Sequence, residues 1–285
     1  MNHSFKLMIT FFCIQLIFPF TKATAQLTLE KLGWQIGVQT FTLRNDNFFD
    51  AVDKIKGLGL KYVEAYPGQK IGGNIAGNMD YKMSASDRKK ILQYLDKRGM
   101  KLVSFGVVVP ETDADWRKLF VFAKEMKLTN IVSEPHPDQM ELVSRLCDEY
   151  KINVAIHDHP RPSHYWTPDS LLVVLKGRNH RIGACADIGH WAYSGLDVME
   201  CFKKLEGRII ELHFKDVGNK EPEPSEKTEV LGKGIINIKA VIAELYHQHF
   251  KGLIAIEHED NPENNIPQLK EDIKYIRDAV SKLKK

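Results

Sequence analysis

The chain has 285 residues, of which 43% are hydrophobic and 27% are charged, and its 40 Lys and Arg against 37 Asp and Glu give a formal net charge of +3. This composition excludes collagen-like, disulfide-dense and largely disordered proteins. The length is sufficient for a large hydrophobic core, arranged either as two ordinary domains or as one large barrel.

The first 25 residues have the three-part layout of a secretory signal peptide. A short start with one lysine precedes the apolar stretch LMITFFCIQLIFPF, and small residues follow at Ala23-Thr24-Ala25. The apolar stretch is shorter than the ~20 residues that a membrane-spanning helix needs, which argues against a membrane anchor. We therefore expect a cleaved signal peptide over 1–25, a mature domain over 26–285 and a periplasmic or secreted location.

Cleavage changes the charge balance of the chain. Residues 1–25 contain Lys6 and Lys22 but no acid, so the other 260 residues carry 38 cations against 37 acids, a net charge of +1. A nearly neutral chain has no net field that attracts nucleic acid or anionic lipid, so neither is an expected partner. Three cysteines remain, and this odd number without CxxC spacing predicts neither complete disulfide pairing nor a cysteine zinc site.

Short runs of β-type residues recur along the mature chain and alternate with stretches of helical spacing, such as 47–58 and 86–98. The eight predicted strands are 34–41, 60–66, 101–109, 129–134, 153–157, 182–187, 209–215 and 253–257. No linker rich in Pro, Gly or Ser divides the chain, so the alternation predicts a single α/β domain, a (β/α)8 or TIM barrel. An open doubly wound sheet is the alternative, but no glycine-rich phosphate loop follows an early strand.

Acidic, basic and imidazole side chains collect at the carboxyl ends of the predicted strands, which is the edge where barrels of this kind place their active sites. Residues two apart share one face of a strand, so His157 faces the same side as His159, and His213 the same side as Lys215. Buried carboxylates and imidazoles are costly unless they are paired or bind a metal. The pattern therefore predicts a site for a divalent cation such as Mn, Mg, Co or Zn.

The order of these residues resembles the xylose-isomerase-like barrel superfamily of sugar phosphate isomerases and epimerases, which also includes inosose dehydratases and an apurinic-site endonuclease branch. The resemblance covers nearly all of the mature chain. It rests on EP at 134–135, HxH at 157–159, DxxH at 187–190, HxKD at 213–216, LGKGIIN at 231–237 and the first glutamate of IEHE at 257.

The resemblance implies one divalent metal ion and an acid/base pair acting on a sugar. A bound cation stabilises the enolate that forms when a proton is removed next to a carbonyl, and the enolate then gives an epimer, an isomer or an elimination product. The resemblance assigns the metal to Glu134, Asp187, His213 and Glu257, acid/base catalysis to Glu134 and Glu257, and substrate contacts to Glu64, His157, His159, His190 and Lys215.

The leading functional prediction is an exported sugar isomerase or epimerase acting on a non-phosphorylated sugar or keto-sugar, because phosphorylated sugars are mainly intracellular. The alternative is elimination, by a 3-keto-glycoside lyase or an inosose-dehydratase-like enzyme. Some epimerases of the superfamily place an arginine shortly after the metal histidine, and this chain has none between Arg208 and Arg277, which argues against ketohexose epimerisation.

Two other classes compete with a sugar-converting enzyme. One is a non-catalytic sugar-binding barrel, which metal analysis and loss of turnover in Glu257→Gln would distinguish from a catalyst. The other is an apurinic-site endonuclease, which needs added histidines on the second and third strands, where this chain has Glu64 and Ser104-Phe105-Gly106. The sequence is compatible with a homo-oligomer but does not specify one.

Overall fold

The structure is a computed structural model that describes Met1 and residues 27–218 and 227–283. Apart from Met1, the predicted signal peptide lies outside the described residues, so its cleavage stays a prediction. None of the helices in the described part of the chain is both long enough and apolar enough to cross a membrane.

Eight parallel strands close into a barrel in which each strand pairs with its neighbours in the sequence and β1 pairs with β8. This closure confirms the predicted (β/α)8 barrel and excludes the open doubly wound sheet. The strands are β1 (Trp34–Gln39), β2 (Tyr62–Ala65), β3 (Lys101–Phe105), β4 (Asn130–Ser133), β5 (Asn153–His157), β6 (Ile182–Asp187), β7 (Ile209–Phe214) and β8 (Gly252–Ile256).

The third strand is shorter than its predicted range of 101–109. It ends at Phe105, and the next residue, Gly106, passes against the backbone of β4. A Cβ atom on Gly106 would lie 2.2 Å from the carbonyl oxygen of Val132, so only glycine allows this approach. The chain therefore leaves the barrel earlier than the apolar pattern suggested.

Helices cover the outside of the barrel and begin and end at the residues that the sequence marks. Asn47 caps α2 by accepting from the amide of Asp50, and Ser84 caps α3, which ends before Gly99 in the left-handed conformation. The helices are α1 (Leu29–Leu32), α2 (Phe48–Gly57), α3 (Ala85–Arg98), α4 (Asp113–Glu125), α5 (Met140–Tyr150), α6 (Pro168–Leu175), α7 (Ile188–Tyr193), α8 (Val198–Lys204), α9 (Ile238–His247) and α10 (Ile266–Ser281).

Most of the buried apolar side chains lie between the strands and these helices, and a smaller set fills the lumen of the barrel. Val103, Leu253 and Ala255 form one lumen cluster, and Val132, Ala155 and Cys185 form another. This apolar filling closes the lumen and supports the polar side chains that lie nearer the carboxyl ends of the strands. Cys147, Cys185 and Cys201 are all buried as free thiols.

Asp216 organises the loop that follows β7. Its carboxylate accepts hydrogen bonds from the backbone amides of Val217, Gly232, Gly234 and Ile236, at 2.9–3.1 Å. A single side chain therefore fixes most of the LGKGIIN stretch beside the barrel opening. This explains why the aspartate of the HxKD motif and the LGKGIIN stretch occur together in the sequence.

Candidate active site

The polar side chains at the carboxyl ends of the strands surround a cavity of ≈ 240 Å³. Two larger cavities, of ≈ 360 Å³ beside α8 and ≈ 390 Å³ beside α10, have no histidine among their described lining residues. The smaller cavity is the candidate active site because of the side chains that line it, not because of its volume. It is lined by Gln39, Phe41, Tyr66, Pro67, Gly106, Val107, His157, His159, His190, His213, Glu257 and Glu259.

Strand register brings three of the four predicted metal ligands together. Asp187 ends β6 and pairs directly with His213 of β7, and the Nδ1 atom of His213 lies 3.8 Å from Oδ2 of Asp187. Glu257 follows β8, and its Oε2 atom lies 3.2 Å from the same nitrogen. Oδ2 of Asp187 is buried, and the ammonium of Lys215 lies 2.9 Å from it. One imidazole nitrogen and two carboxylate oxygens form a donor set that suits a divalent cation.

The fourth predicted ligand, Glu134, lies behind His157 rather than beside the other three. Oε1 of Glu134 is 3.3 Å from Nδ1 of His157, and Oε2 accepts a hydrogen bond of 2.6 Å from Ser163. The other ring nitrogen of His157 lies 3.2 Å from Nδ1 of His213 and 3.5 Å from Oδ2 of Asp187. His157 therefore lies between Glu134 and the pair formed by Asp187 and His213.

Two carboxylates of the site are held in their ionised form. Burial alone raises the pKa of Glu134, but hydrogen bonds from His157 and His159 outweigh it and hold this pKa below its ordinary value. Burial also raises the pKa of Glu257, yet the neighbouring Lys215 and His213 lower it by more. Both glutamates are therefore ionised and offer carboxylate oxygens that can bind a cation.

The DxxH motif is explained by a helix cap. Asp187 precedes α7, and its Oδ1 atom accepts the amide of His190 at 2.9 Å, which fixes the histidine three residues further on. The His190 ring then lies with Nδ1 3.4 Å from Oδ2 of Asp187 and Nε2 3.5 Å from Oε1 of Glu259. Nδ1 of His190 is buried without a hydrogen-bond partner among the residues described.

Lys215 reaches the carboxylates rather than the cavity, although it was predicted to contact substrate. Its Nζ atom lies 2.9 Å from Oδ2 of Asp187 and 2.8 Å from Oε2 of Glu257, and it also forms an ion pair with Glu259. Only 1% of the residue is exposed. Burial alone lowers the pKa of this lysine, but the three carboxylates raise it well above its ordinary value, so the ammonium is charged.

Gly189 makes room for the stem of Lys215. A Cβ atom at Gly189 would lie 2.3 Å from Cγ and 2.7 Å from Cδ of the lysine, which is closer than real atoms approach. The glycine in the sequence DIGH therefore directs the lysine side chain into the carboxylate group.

Glu64 was also predicted to contact substrate, but it is not among the residues that line the cavity. It is fully buried in the lumen, and its Oε2 atom lies 3.0 Å from Nε2 of His213. The opposite ring nitrogen of His213 faces Asp187 and Glu257, so Glu64 contacts the histidine from behind. Carboxylates in this position commonly orient metal-binding histidines and fix which ring nitrogen carries the proton.

Glu259 was not among the predicted site residues, although it contacts both Lys215 and His190. The spacing of Glu259 could have predicted its place in the site, because a residue two positions after Glu257 continues the same face of the strand. Glu211 shares its face of the strand with His213 and Lys215, as the alternation predicts, but it was assigned no role; it lies deeper in the lumen and accepts hydrogen bonds from Ser104 at 3.0 Å and Asn130 at 2.5 Å.

One wall of the cavity is apolar. Phe41 and Tyr66 pack edge to face with 5.3 Å between ring centres, and Pro67 and Val107 continue the same lining. The described residues that line the cavity include no lysine or arginine. The cavity thus combines an aromatic surface with imidazoles and carboxylates.

The structure is thus a closed (β/α)8 barrel with a candidate metal-binding group of imidazoles and carboxylates at its carboxyl end. The chain belongs to the xylose isomerase-like TIM barrel family, whose pattern matches residues 52–279.

Comparisons with individual proteins support this membership. The inosose dehydratase of Lacticaseibacillus casei strain BL23 is 23% identical, and the match covers 85% of this chain and 91% of that one. The crystal structure of an uncharacterised protein from Parabacteroides distasonis ATCC 8503 is 32% identical with a TM-score of 0.71, covering 86% of this chain and 99% of that chain. The IOLI protein with a bound zinc atom has the same fold at 15% identity and a TM-score of 0.70, covering 87% of this chain and 98% of that one.

Proposed function

We propose that this protein is a metal-dependent sugar-converting enzyme that removes a proton from the carbon next to a carbonyl. The observation that carries the proposal is the convergence of Asp187, His213 and Glu257 beside a small cavity at the carboxyl end of the barrel. Relatives named inosose dehydratase support an activity on polyhydroxylated carbonyl compounds.

Asp187, His213 and Glu257 would hold the ion, and Nε2 of His157 is a fourth donor at the same point. A bound divalent cation supplies Lewis-acid stabilisation to the developing enolate. Two imidazole nitrogens with two carboxylates favour Mn, Co or Zn over Mg.

In this proposal the proton transfers are carried out by the two glutamates that the resemblance names as the acid/base pair. Glu257 lines the cavity as an ionised carboxylate, so it can accept the proton from the substrate carbon. Glu134 is the second acid/base group in this proposal, since it is ionised and joined by hydrogen bonds to His157 and His159, both of which line the cavity.

In this proposal the substrate is contacted by the three histidines at the barrel opening, all of which line the cavity: His157, His159 and His190. Glu64 and Lys215 receive different roles in this proposal. Glu64 orients His213 from behind, and Lys215 balances the charge of the carboxylates around it.

The substrate in this proposal is a neutral, non-phosphorylated sugar or keto-sugar. The described lining offers no free cation for a phosphate group, whereas the wall formed by Phe41 and Tyr66 suits the apolar face of a sugar ring. The cavity is smaller than the ~300–1,000 Å³ typical of drug-sized ligands, which fits one sugar ring. The signal peptide predicted from the sequence agrees with an exported enzyme that meets free sugars or glycosides.

Elimination is the second candidate reaction of the same enolate. Relatives named as dehydratases favour it over epimerisation, and so does the lack of an arginine between Arg208 and Arg277. Loss of a β-substituent would then give a dehydrated sugar or release the aglycone of a 3-keto-glycoside.

A product assay tests the proposal. Mn- or Co-loaded protein is incubated with ketoses, inososes and 3-keto-glycosides, and products are identified by NMR. We expect turnover of at least one keto-sugar by the wild type and its loss, by at least ~10²-fold, in Glu257→Gln, which keeps size and shape but removes the base. A folded, metal-loaded protein that converts none of them would support the non-catalytic sugar-binding barrel instead.

A further inference from the structure

Cations collect at the amino ends of the strands, the end of the barrel opposite to the candidate active site. Seven segments run from the end of a helix to the first residue of the next strand, from α2–β2 to α9–β8, and each carries at least one lysine or arginine. Together these segments contain nine cations and a single acid, Glu206. The nine cations are Lys61, Lys101, Lys127, Lys151, Lys176, Arg178, Arg181, Arg208 and Lys251.

Six of the nine are exposed lysines, and they are termed the basic face: Lys61, Lys101, Lys127, Lys151, Lys176 and Lys251. Within the described part of the chain, none of the six side chains pairs with a carboxylate or makes a hydrogen bond. The strands lie side by side around a closed barrel, so the segments that lead into them surround the barrel axis. The basic face is therefore distributed around one end of the molecule rather than along a line.

The ends of the helices explain only part of this pattern. A helix dipole favours cations within the last helical turn, and its effect falls off beyond that turn. Lys61, Lys101 and Lys251 lie three or four residues after the last residues of α2, α3 and α9. Interaction with the helix dipoles therefore does not account for these three lysines.

Backbone conformation does not account for two of the others. Lys127 and Lys151 have φ angles of 59° and 58°, in the left-handed region that favours glycine. The segment after α3 has glycine in this conformation, at Gly99. The lysines that replace glycine after α4 and α5 add exposed charge at positions where the backbone does not favour them.

The opposite end of the barrel is acidic, since Glu134 follows β4, Asp187 ends β6, and Glu257 and Glu259 follow β8. The net charge of +1 for residues 26–285 is thus an average over two ends of opposite sign. Strands of four to six residues span roughly 13–20 Å. Charges are largely screened beyond about 8 Å at physiological ionic strength, so a surface that touches the basic face interacts mainly with its lysines.

We propose that the basic face binds an anionic lipid bilayer and turns the opening of the active site away from the membrane. A plane of anionic headgroups can contact lysines all around the barrel axis at once, whereas a linear polyanion reaches only those along its path. Each lysine close to such a surface adds to the attraction. The contact is peripheral and leaves the cavity open to substrate, and it does not depend on the proposed function.

Vesicle sedimentation tests the inference without using activity. The mature protein is mixed, at low salt, with vesicles of phosphatidylglycerol and phosphatidylcholine in equal parts, or of phosphatidylcholine alone. We expect binding to the anionic vesicles only. We also expect release at 1 M salt, where the Debye length falls to about 3 Å.

Two variants with equal net charge separate the basic face from the charge of the whole chain. The first removes four lysines of the basic face: Lys101→Gln/Lys127→Gln/Lys151→Gln/Lys251→Gln. The control removes four exposed lysines outside the seven segments: Lys70→Gln/Lys82→Gln/Lys239→Gln/Lys270→Gln. The first variant should bind the anionic vesicles at least ~100-fold more weakly than the wild type, and the control should stay within about fivefold. Circular dichroism confirms that both are folded.

Three results would overturn the inference. The first is a wild type that does not sediment with the anionic vesicles, including one that binds soluble dextran sulfate instead. The second is equal loss of binding in the two variants, which would show a dependence on net charge alone. The third is equal binding to vesicles of phosphatidylcholine alone, which would show that the lysines do not drive the contact.

Discussion

His213 lies between carboxylates that contact opposite sides of its ring. Nε2 faces Glu64 at 3.0 Å, and Nδ1 faces Glu257 at 3.2 Å. A proton held on Nε2 by Glu64 leaves the Nδ1 lone pair free for a cation. The buried glutamate would thereby determine which nitrogen of His213 binds a cation.

The first prediction follows from this contact. Glu64→Ala should weaken Mn²⁺ binding by about 10–100-fold, because the histidine loses the partner that orients it. Glu64→Gln should stay within about tenfold of the wild type, since an amide oxygen still accepts the Nε2 proton. Isothermal titration calorimetry measures both affinities.

Glu211→Gln is the matched control, a second buried carboxylate in the same lumen. Its partners are Ser104 and Asn130, which an amide satisfies by donating to the hydroxyl and accepting from Asn130. Equal losses of affinity in Glu211→Gln and Glu64→Ala would contradict a specific role for Glu64.

The second prediction concerns Gly189. Gly189→Ala places a methyl group against the stem of Lys215, so we expect a loss of about 1–3 kcal/mol in the free energy of unfolding, together with reduced turnover. Gly57→Ala is the control, because a Cβ there meets no atom within 4 Å and should be neutral or stabilising by up to about 1 kcal/mol. Urea unfolding of both variants gives the comparison, and equal stabilities would contradict the packing argument.

At the scale of elements, the loop over residues 231–237 depends on one carboxylate. Oδ1 of Asp216 accepts the amides of Val217 and Ile236, and Oδ2 accepts those of Gly232 and Gly234. Because each oxygen serves two donors, neither can be replaced by an amide nitrogen without leaving two N–H groups unpaired.

The third prediction is that Asp216→Asn destabilises the protein by at least about 2 kcal/mol, since each unpaired buried N–H costs about 1–3 kcal/mol. Asp278→Asn, which affects only an exposed pair with Lys274, should leave stability unchanged. Thermal unfolding followed by circular dichroism measures both. A midpoint for Asp216→Asn equal to that of Asp278→Asn would show that solvent satisfies these amides.

The elements were largely predictable from the sequence, because strand and helix periods and capping residues are local signals. All eight barrel strands lie within predicted ranges or overlap them, and α2 and α3 match their predictions to within one residue at each end. The shortened β3 was not predictable in the same way, since it depends on the approach of Gly106 to a strand distant in sequence.

The side chains of the site were predictable as a group but not in their individual positions. Alternation along a strand tells which face a residue occupies, whereas the depth of its terminal atoms in the lumen depends on the neighbouring strands. Glu64 and Lys215 were therefore assigned to the substrate, although one lies behind His213 and the other extends into the carboxylates.

At the scale of the whole molecule, the candidate metal site joins three consecutive strands of the barrel. Asp187 ends β6, His213 lies in β7 and Glu257 follows β8, so a bound ion would link three of the eight strands. A ligand that binds only the folded state raises its stability by mass action.

The fourth prediction is that Mn²⁺ at about 100 times its dissociation constant stabilises the protein by about 2.7 kcal/mol. For a chain of this size that corresponds to a rise of roughly 5–10 °C in the unfolding midpoint, reversed by a chelator. Asp187→Asn keeps the helix-capping oxygen but removes the charge of the ligand, so Mn²⁺ should leave its midpoint unchanged. A shift of equal size in Asp187→Asn would place the ion elsewhere.

Deuterium exchange tests proton abstraction next to a carbonyl most directly. The Mn- or Co-loaded protein is incubated in deuterated water with the keto-sugar panel, and the substrate and product are examined by NMR. Abstraction predicts deuterium at the carbon next to the carbonyl, absent in Glu257→Gln. Conversion of a sugar with no deuterium at that carbon in either substrate or product would contradict it.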